Sequence, residues 1–509
     1  MHFLVKLFVS SRNKKVTMNH LNKEKSAYLR EAINQPVHWY PWSEQAFIEA
    51  KKQCKSILLD IGASWCHWCH VIDHESYENK EIAEIINKNF IAVKVDRDER
   101  PDIDKIYQEI AVMISGQGGW PLTVFLTHDK IPFYTGTYFP PEDRFGLPSF
   151  KKVLLHVSKV YKENKTQLVG ITSQILKSIK QEKTNEVKQL KIDTLKEGCI
   201  RILNQLDHIN GGFGTAPKFP NTTALQFLLI ISAENNDKEN LEAVKLTLRK
   251  MAEGGIYDQI GGGFHRYSTD TEWKIPHFEK LLVDNALLLE LYLLAYKLSK
   301  DSSIKRIAIE IINSIKQEFY DKEGFFYSSQ DADVDNEEGL YFTWTKAEIE
   351  KVLNNEEAKI VSWHYGIDDI GEIDALKDKA KIRDRNVLYI ENTTSAIADV
   401  LAKSEKEIAN IIENAKKKLI RERGKRKKPF IDKTLYTNWN ALMINSFLSA
   451  YKILGDKNYK DVALKVLNFI IEKLYINGRL YHMFADNSYS VNGFLDDYHF
   501  LIQALINDH

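Results

Sequence analysis

Residues 56–74 read SILLDIGASWCHWCHVIDH, which predicts a strand, a short loop, a Cys-x-x-Cys motif and a helix in that order. The apolar run at 57–59 fits a buried strand, and the small residues at 62–64 end it as loop residues do. After the motif, apolar residues from Val71 to Ile86 recur at helical spacing. The two cysteines are therefore predicted to stand at the start of a helix.

The predicted position at a helix start makes the two cysteines candidates for thiol–disulfide exchange. At a helix N-terminus, free backbone N–H groups and the positive end of the helix dipole stabilise a thiolate, so the pKa of Cys66 is predicted to fall below that of a free thiol. Cys66 is then the exposed nucleophile, and Cys69, one turn further on, resolves the mixed disulfide. His67 between them would stabilise the thiolate when it is protonated.

Two other interpretations of the motif stay open from its residues alone. A single Cys-x-x-Cys pair can be half of a zinc site, for which His67, His70 and His74 stand close by. The pair can also be inert. No second Cys-x-x-Cys pair follows, and the other cysteines, Cys54 and Cys199, are isolated, which favours the redox interpretation.

Asp60, Trp65 and Pro121 support the redox interpretation. The stretch DIGASWCHWC (60–69) resembles the thioredoxins, which carry a buried aspartate and a tryptophan at the first two of these positions. A buried carboxylate has a raised pKa and can accept the proton of Cys69, although a loop-capping role also fits Asp60. Thioredoxin folds place a cis-proline before a strand, facing the cysteines, and Pro121 precedes LTVFL (122–126) in this way.

The composition limits the class of protein. The chain has 509 residues, too many for one core, with 44% hydrophobic and 28% charged residues, as in globular multidomain proteins. Lys+Arg and Asp+Glu number 70 each, so the zero net charge argues against a nucleic-acid or anionic-membrane partner. Four cysteines suit a reducing compartment and predict a cytoplasmic location.

The N-terminal segment, residues 1–20, leaves open whether the protein is targeted to an organelle. It is basic and lacks Asp and Glu, as an organelle presequence does, and it is weak as a signal peptide. A true start at Met18 is the other interpretation. No run in the sequence approaches the ~18 apolar residues of a membrane helix.

Residues 19–166 are predicted to form one α/β domain with the thioredoxin order of elements. Helical patterns stand at 43–53, 70–90 and 102–114, and strand patterns at 57–59, 90–96, 122–126 and 131–140. Residues 167–194 are rich in Lys and Gln and are predicted to be a solvated helical linker.

Residues 195–509 are predicted to form an all-α domain. Ten helices are expected, at 195–206, 221–233, 241–254, 278–298, 304–319, 346–353, 404–421, 440–454, 459–474 and 493–506. Paired helices of this size point to an (α/α)6 toroid, in which six hairpins ring a cavity. Because twelve helices are needed and the sequence stops inside a helical pattern, an open toroid, truncated at the C-terminus, is predicted.

Loops rich in glycine and aromatic residues join these helices, and loops carry the chemistry of such domains. Carboxylates beside aromatic rings are typical of carbohydrate sites. The predicted pocket residues are Tyr257, His265, Arg266, Trp273, His277, Glu279, Asp284, Asp331, Asp333, Trp439, Asp496 and Asp497. Six of them, His265, His277, Glu279, Asp284, Asp331 and Asp333, are expected around one pocket, with the histidines as an acid–base pair.

A structural interpretation also fits each of these residues taken alone. Glycines make tight turns, aromatic rings fill cores, and carboxylates cap helices. DADVD (331–335) resembles part of a calcium loop, but the glycine and the terminal glutamate spacing of an EF-hand are missing. No metal or cofactor is predicted.

Longer motifs point to one family. They include NKEKSAYLREA (22–32), PVHWYPW (36–42), CHWCHVIDHESYEN (66–79), VKVDRDERPDID (93–104), GQGGWPLTVFL (116–126), GGFGTAPKFP (211–220), GGIYDQIGGGFHRYSTD (254–270) and WKIPHFEKLLVDNA (273–286). They resemble the thioredoxin-domain proteins typified by spermatogenesis-associated protein 20 and its bacterial relatives. The resemblance implies a thioredoxin-like domain followed by a six-hairpin glycosidase-like toroid, similar in fold to sugar epimerases.

Three functions are predicted. The first is a thiol–disulfide oxidoreductase acting on protein thiols and disulfides, with Cys66, Cys69, Asp60 and Pro121 as its site, fused to a toroid that binds or processes a carbohydrate. The second is a sugar epimerase or glycosidase whose thioredoxin-like domain is structural. The third is a non-enzymatic redox-sensing or chaperone-like adaptor.

Overall fold

The computed structural model describes residues 19–144, 146–164, 168, 170, 172–173, 175, 192–235, 237–373 and 384–508. Its contacts divide the chain into two compact units, Met1–Gly62 with Val71–Lys183 and Ala63–His70 with Thr184–His509. Residues 1–18 and most of the predicted linker at 167–194 lie outside the described residues. Within the described residues, no helix is both long and apolar enough to span a bilayer.

A five-stranded sheet forms the centre of the first unit. Its strands are β1 (Trp39–Tyr40), β2 (Ser56–Gly62), β3 (Phe90–Asp96), β4 (Leu122–Leu126) and β5 (Pro132–Gly136). They lie in the order β1-β3-β2-β4-β5, with β1, β3 and β2 parallel and with β4 and β5 each antiparallel to its neighbour. All residues of β2, β3 and β4 are buried, as expected for strands covered on both faces.

Helices alternate with these strands in the predicted thioredoxin-like order. They are α1 (Ala27–Glu31), α2 (Glu44–Lys52), α3 (His67–Ile72), α4 (Lys80–Asn89), α5 (Pro101–Ser115) and α6 (Phe150–Glu163). The single helix predicted over 70–90 is wrong, because α3 passes into a π-helical turn, Asp73–Tyr77. The Asn79 side chain then accepts hydrogen bonds from the N–H groups of Glu81 and Ile82 and starts α4 afresh.

A buried charge cluster lies inside the first unit. Lys94 on β3 is fully buried, and its ammonium group lies 2.8 Å from Asp60 on β2 and 3.0 Å from Asp73. The hydroxyl groups of Tyr28 and Tyr77 donate to the Asp60 carboxylate at 2.7 and 3.2 Å. Burial alone would lower the pKa of Lys94, but the two carboxylates outweigh it and raise the pKa above its ordinary value. Lys94 therefore stays charged and neutralises part of this carboxylate pair.

We expect Lys94→Met to lower the free energy of unfolding by about 3–5 kcal/mol, because it leaves two buried carboxylates without their cation. Chemical denaturation monitored by circular dichroism measures the loss. Lys105→Met, at an exposed position of α5, is the matched control and should cost little. Equal stabilities for the two variants would show that the cluster contributes nothing to folding.

Helices dominate the second unit. In chain order they are α7 (Ile192–Leu203), α8 (Thr222–Asn235), α9 (Lys238–Glu253), α10 (Leu282–Ser299), α11 (Ser302–Glu318), α12 (Lys346–Val352), α13 (Asn355–Tyr365), α14 (Thr394–Leu401), α15 (Glu405–Arg423), α16 (Thr437–Leu454), α17 (Lys457–Lys473) and α18 (Leu495–Asp508). Helix α10 packs on α8 and α16, and α16 packs on α18. Helices α9, α11 and α17 pack against the outside of this row.

The two layers follow from the sequences of the helices. Helix α10 is apolar on nearly every side, so it can be stable only between other helices, whereas α11 has one apolar stripe and a charged outer face. The predicted toroid architecture, with inner and outer helices, is confirmed. The prediction of ten helices in this part of the chain is wrong, since the described residues of the second unit contain twelve.

The two helices that were missed, α13 and α14, are short and weakly patterned. Asn354 and Glu357 form a capping box at the start of α13, and Gly366 ends it with φ 65°. With α12 and α15 they pack around apolar clusters separate from the core of the α8, α10, α16 and α18 row. They therefore add a helical layer and do not supply the sixth hairpin of the predicted ring.

Short strands occupy the loops of the second unit. They are β6 (Tyr267–Ser268), β7 (Pro276–His277), β8 (Lys280–Leu281), β9 (Ser329–Gln330), β10 (Asp333–Val334), β11 (Glu337–Glu338), β12 (Trp344–Thr345), β13 (Arg385–Asn386), β14 (Ile431–Asp432), β15 (Leu435–Tyr436), β16 (Tyr475–Ile476), β17 (Arg479–Ala485) and β18 (Ser488–Asn492). The helix predicted from residue 278 begins only at Leu282, because β7 and β8 occupy the preceding residues.

Helix α10 also carries a largely buried glutamate, Glu290. Burial raises the pKa of Glu290 to about 7, and Ser449, Lys452 and Lys297 offset part of the rise. The folded chain therefore binds this proton more tightly than the unfolded chain. The free energy of unfolding must then fall as pH rises from the usual glutamate range through about 7.

We expect Glu290→Gln to raise the free energy of unfolding at pH 8 by roughly 1–3 kcal/mol and to change it little at pH 4, where Glu290 is protonated in both states. Urea unfolding across this pH range measures the difference. Glu413→Gln, at an exposed site on α15, is the control. Parallel pH profiles for wild type and Glu290→Gln would contradict the expectation.

Candidate functional site

The two motif cysteines form a disulfide at the start of α3. Cys66 and Cys69 have Cα atoms 5.3 Å apart, and the backbone N–H of Cys69 points to Sγ of Cys66 at 3.2 Å. Cys69 is fully buried and Cys66 is only 6% exposed. The prediction that Cys66 is exposed is therefore wrong, although Cys66 is the more accessible residue of the two.

His67 lies between the two cysteines in sequence and contacts a carboxylate. Its Nδ1 atom is 2.9 Å from both carboxylate oxygens of Asp333, and its Nε2 atom is 3.7 Å from Oε2 of Glu338. All three side chains are largely buried, with 11% of His67 and 7% of Asp333 exposed. A partly desolvated contact of this kind fixes the ring orientation of the histidine.

His70 makes the corresponding contact one turn later. Its Nε2 atom lies 3.2 Å from Oδ1 of Asp331 and 3.0 Å from the carbonyl oxygen of Ser64. Burial raises the pKa of the Asp331 carboxyl, and His70 offsets part of that rise. His74, the third histidine of the motif, is exposed and pairs with Glu78, so it is not part of this group.

A second set of predicted pocket residues adjoins the first. His277 Nδ1 lies 2.5 Å from Oε1 of Glu338, and the rings of His67 and His277 have centroids 6.3 Å apart. Arg266 lies 3.8 Å from the buried carboxylate of Glu279. Burial raises the pKa of Glu279, while His277 and Arg266 oppose the rise.

The β10–β11 hairpin explains why two of these carboxylates meet. Asp333 and Glu338 are cross-strand partners in the antiparallel pair. Asp335 and Asn336 connect the strands with φ values of 54° and 66°, as a type I′ turn requires. Partners in such a pair have side chains on the same face, so both carboxylates reach His67.

A cavity of about 720 Å³ lies beside Arg266 and Asp284. Phe219 and Leu288 are also in its lining. The Phe219 ring stacks on Tyr267 with centroids 4.5 Å apart, and the Arg266 guanidinium lies 4.5 Å from the Trp65 ring. The cavity is therefore lined by two side chains of opposite charge and by the aromatic ring of Phe219.

Three predicted pocket residues are packed inside the fold. His265 is buried with Nδ1 2.8 Å from the carbonyl oxygen of Phe278, and burial together with Lys280 lowers its pKa to about 3. It therefore stays neutral near pH 7 and does not fit the predicted acid–base pair. Trp273 donates its indole N–H to the Asn210 carbonyl at 2.8 Å, and Tyr257 donates its hydroxyl to Glu310.

The predicted residues near the C-terminus belong to another group. Asp497 is fully buried, lies 2.9 Å from Nδ1 of His482 and accepts hydrogen bonds from the backbone N–H groups of Asn438 and Phe494. Trp439 packs edge-on against Tyr436, whose ring neighbours His482. Asp496 is exposed. These contacts fit a capping and packing role.

The remaining predicted site residues lie in the first unit. The Trp120–Pro121 peptide bond is cis, as predicted. Asp60 is fully buried, as expected, but it is paired with Lys94, which sequence reasoning missed. Its transfer of a proton from Cys69 and the position of Pro121 against the cysteines stay predictions.

Several contacts could not be assigned from sequence. His482 stands in a loop strand without a motif, and Glu338 carries no signal beyond its place in an acidic loop. The turn DN (335–336) stands between DV (333–334) and EE (337–338) and predicts a two-residue hairpin. This pattern is the signal that could have placed Glu338.

Comparison with known proteins identifies the family. Residues 18–180 match the family model Thioredox_DsbH, described as "Protein of unknown function, DUF255". Human spermatogenesis-associated protein 20 is 33% identical over 524 residues, which cover 96% of this chain and 67% of the human protein. The chain belongs to the spermatogenesis-associated protein 20 family. An uncharacterized protein of Caenorhabditis elegans is 37% identical over 517 residues, covering 96% of this chain and 71% of that protein.

Two solved structures illustrate distant similarity to this chain. A sugar epimerase from a ruminal bacterium is 17% identical, with a TM-score of 0.26, over 63% of this chain and all of the epimerase. A DsbH oxidoreductase is 18% identical, with a TM-score of 0.19, over 25% of this chain and 85% of that chain. Similarity at this level assigns no activity.

Proposed function

We propose that the chain is a thiol–disulfide oxidoreductase whose site is the Cys66–Cys69 disulfide. The observation that carries the proposal is the disulfide itself, placed at the start of α3 with Cys66 as the more accessible residue of the pair. A helix start stabilises the thiolate that leaves when such a bond is opened. The match of residues 18–180 to a thioredoxin-type family model supports the same chemistry.

The reaction needs no cofactor. A thiolate of the substrate attacks Sγ of Cys66, the Cys66–Cys69 bond breaks, and the electron pair leaves on Cys69 as a thiolate, which takes up a proton. A second substrate thiolate attacks the substrate sulfur of the mixed disulfide and releases Cys66 as a thiolate, which takes up the second proton. The substrate dithiol has then lost two electrons and two protons to the protein dithiol, and the reverse sequence reduces a substrate disulfide.

The histidine contacts support this assignment. Asp333 holds the ring of His67, and Asp331 holds the ring of His70, on either side of Cys69 in sequence. The carboxylate at 2.9 Å holds the His67 ring in one orientation next to the motif. Because Cys66 is only 6% exposed, the site favours small thiols and extended protein segments as substrates over a folded surface.

We expect the purified chain to catalyse reduction of insulin disulfides by dithiothreitol, and we expect Cys66→Ser to reduce this rate to that measured without protein. Cys69→Ser should instead retain attack and accumulate a mixed disulfide, because the resolving thiol is missing. Cys54 is exposed, so all variants are made in a Cys54→Ser background. Mass spectrometry of the trapped species identifies the linked cysteine.

The same experiment separates the alternatives. Turnover that survives Cys66→Ser would contradict the oxidoreductase assignment. Stable capture of one protein by Cys69→Ser without any turnover by the wild type would favour a redox-sensing adaptor. Cys199 serves as an internal control, since it is buried and burial raises the pKa of its thiol.

A carbohydrate-binding role of the second unit is the second candidate. The cavity beside Arg266 and Asp284 is of a size typical of small-ligand sites and is lined by Phe219. Aromatic faces stack on sugar rings while charged groups bind hydroxyl groups. The proposal rests on the cavity alone.

We expect D-glucose, D-mannose or one of their disaccharides to bind this cavity, with Asp284→Asn and Phe219→Ala each weakening binding roughly tenfold, the effect of one lost charged hydrogen bond or stacking contact. Isothermal titration calorimetry measures the affinities. Phe430→Ala, which truncates an exposed ring outside the cavity lining, is the control. Binding that no variant changes would place the sugar elsewhere.

A further inference from the structure

His277, Glu279 and Glu338 lie together in the second unit. Each offers one ligand atom, and these atoms lie within 4.8 Å of one another. Glu279 and Glu338 are buried and His277 is half-buried. Arg266 lies 3.8 Å from Glu279 and His277 contacts Glu338. A cation bound between the two carboxylates would further stabilise them, because buried carboxylates this close together repel each other.

We infer that His277, Glu279 and Glu338 bind a divalent transition-metal ion, with His67 as a fourth ligand. Donor atoms bound to one Zn²⁺ at ~2.0–2.2 Å lie roughly 3–3.5 Å apart in a tetrahedral site. Separations of 4.8 Å or less can close to that spacing by side-chain rotation.

Glu279 supplies an independent observation. It is 3% exposed, and within the described residues its Oε2 atom has no hydrogen-bond partner. A buried carboxylate oxygen normally accepts at least one hydrogen bond, since leaving it without one costs free energy. A metal ion between Glu279 and Glu338 would supply the missing partner.

The contacts of His67 are a second observation that supports the metal site. Its Nδ1 atom contacts Asp333 at 2.9 Å, while Nε2 is 3.7 Å from Oε2 of Glu338. A histidine that binds a metal through one ring nitrogen usually donates the other N–H to a carboxylate, which fixes the tautomer and the ring orientation. The Asp333–His67 pair has this arrangement, with Nε2 turned toward the cluster.

The donor set selects the class of ion. Two imidazoles and two carboxylates suit Zn²⁺, Fe²⁺ or Mn²⁺, whereas Ca²⁺ and Mg²⁺ prefer oxygen donors alone. Among the first three ions, a site of given ligands binds Zn²⁺ most tightly, so Zn²⁺ is the probe. The cysteines are not among the ligands, because they are joined to each other.

The test uses the full chain, stripped with a chelator and kept in non-reducing buffer. We expect calorimetric titration with ZnCl₂ to show one ion per chain, and Glu279→Gln, Glu338→Gln and His277→Asn each to weaken binding at least tenfold. Glu290→Gln is the matched control within the second unit, and His74→Ala controls for binding at the exposed His74–Glu78 pair. Both controls should bind as the wild type does.

A spectroscopic readout covers variants that fold poorly. Co²⁺ bound to nitrogen and oxygen donors absorbs visible light, and the band should weaken in Glu279→Asp, which keeps the charge but shortens the side chain. ZnCl₂ should also raise the Tm of the wild type, since a ligand of the folded state stabilises it. Absence of saturable Zn²⁺ binding below about 1 mM, or equal binding by wild type and all three cluster variants, would overturn the inference.

The metal site is independent of the oxidoreductase proposal. A Cys66→Ser/Cys69→Ser double variant loses thiol chemistry but should keep its Zn²⁺ affinity, because no sulfur is among the ligands. Loss of Zn²⁺ binding in this double variant, measured without reductant, would show that the cysteines are the ligands and would overturn the site as assigned.

Discussion

The ammonium group of Lys94 balances the charge inside the first unit. It joins Asp60 on β2 to Asp73 in the turn after α3, and two tyrosine hydroxyls complete the coordination of Asp60. Without this cation, the interior of the first unit would hold the carboxylates of Asp60 and Asp73 without the ammonium group that pairs with both, which is costly. The charge pairing thus fixes both the sheet and the turn that follows the cysteines, and any proton exchange by Asp60 takes place beside a fixed positive charge.

Elements defined by contiguous patterns could be predicted from sequence. Strands β3 and β4 match their predicted bounds, 90–96 and 122–126, because an unbroken apolar or alternating run contains its own signal. Lys94 stands in the middle of such a run, and its partners are 34 and 21 residues away in sequence. Short helices such as α13 and α14 were missed, since a few apolar residues give a weak period.

The candidate site also has parts that the sequence predicts and parts that it does not. The CHWC motif is visible in the sequence, whereas the partners of His67 and His70 are 266 and 261 residues distant. His265 and His277 stand in similar aromatic surroundings, and no sequence pattern distinguishes them. Their depth does so in the fold, because His265 is buried against Phe278 and Phe342 while His277 faces Glu338.

The two-residue turn at Asp335 and Asn336 has an evolutionary consequence. Strand side chains alternate between faces, so adding or deleting one residue in this turn would move either Asp333 or Glu338 to the opposite face of the hairpin. Substitutions that tolerate positive φ can accumulate there, but changes of length separate the two carboxylates. In relatives that keep this acidic pair, the segment between them should vary in composition while its length stays constant.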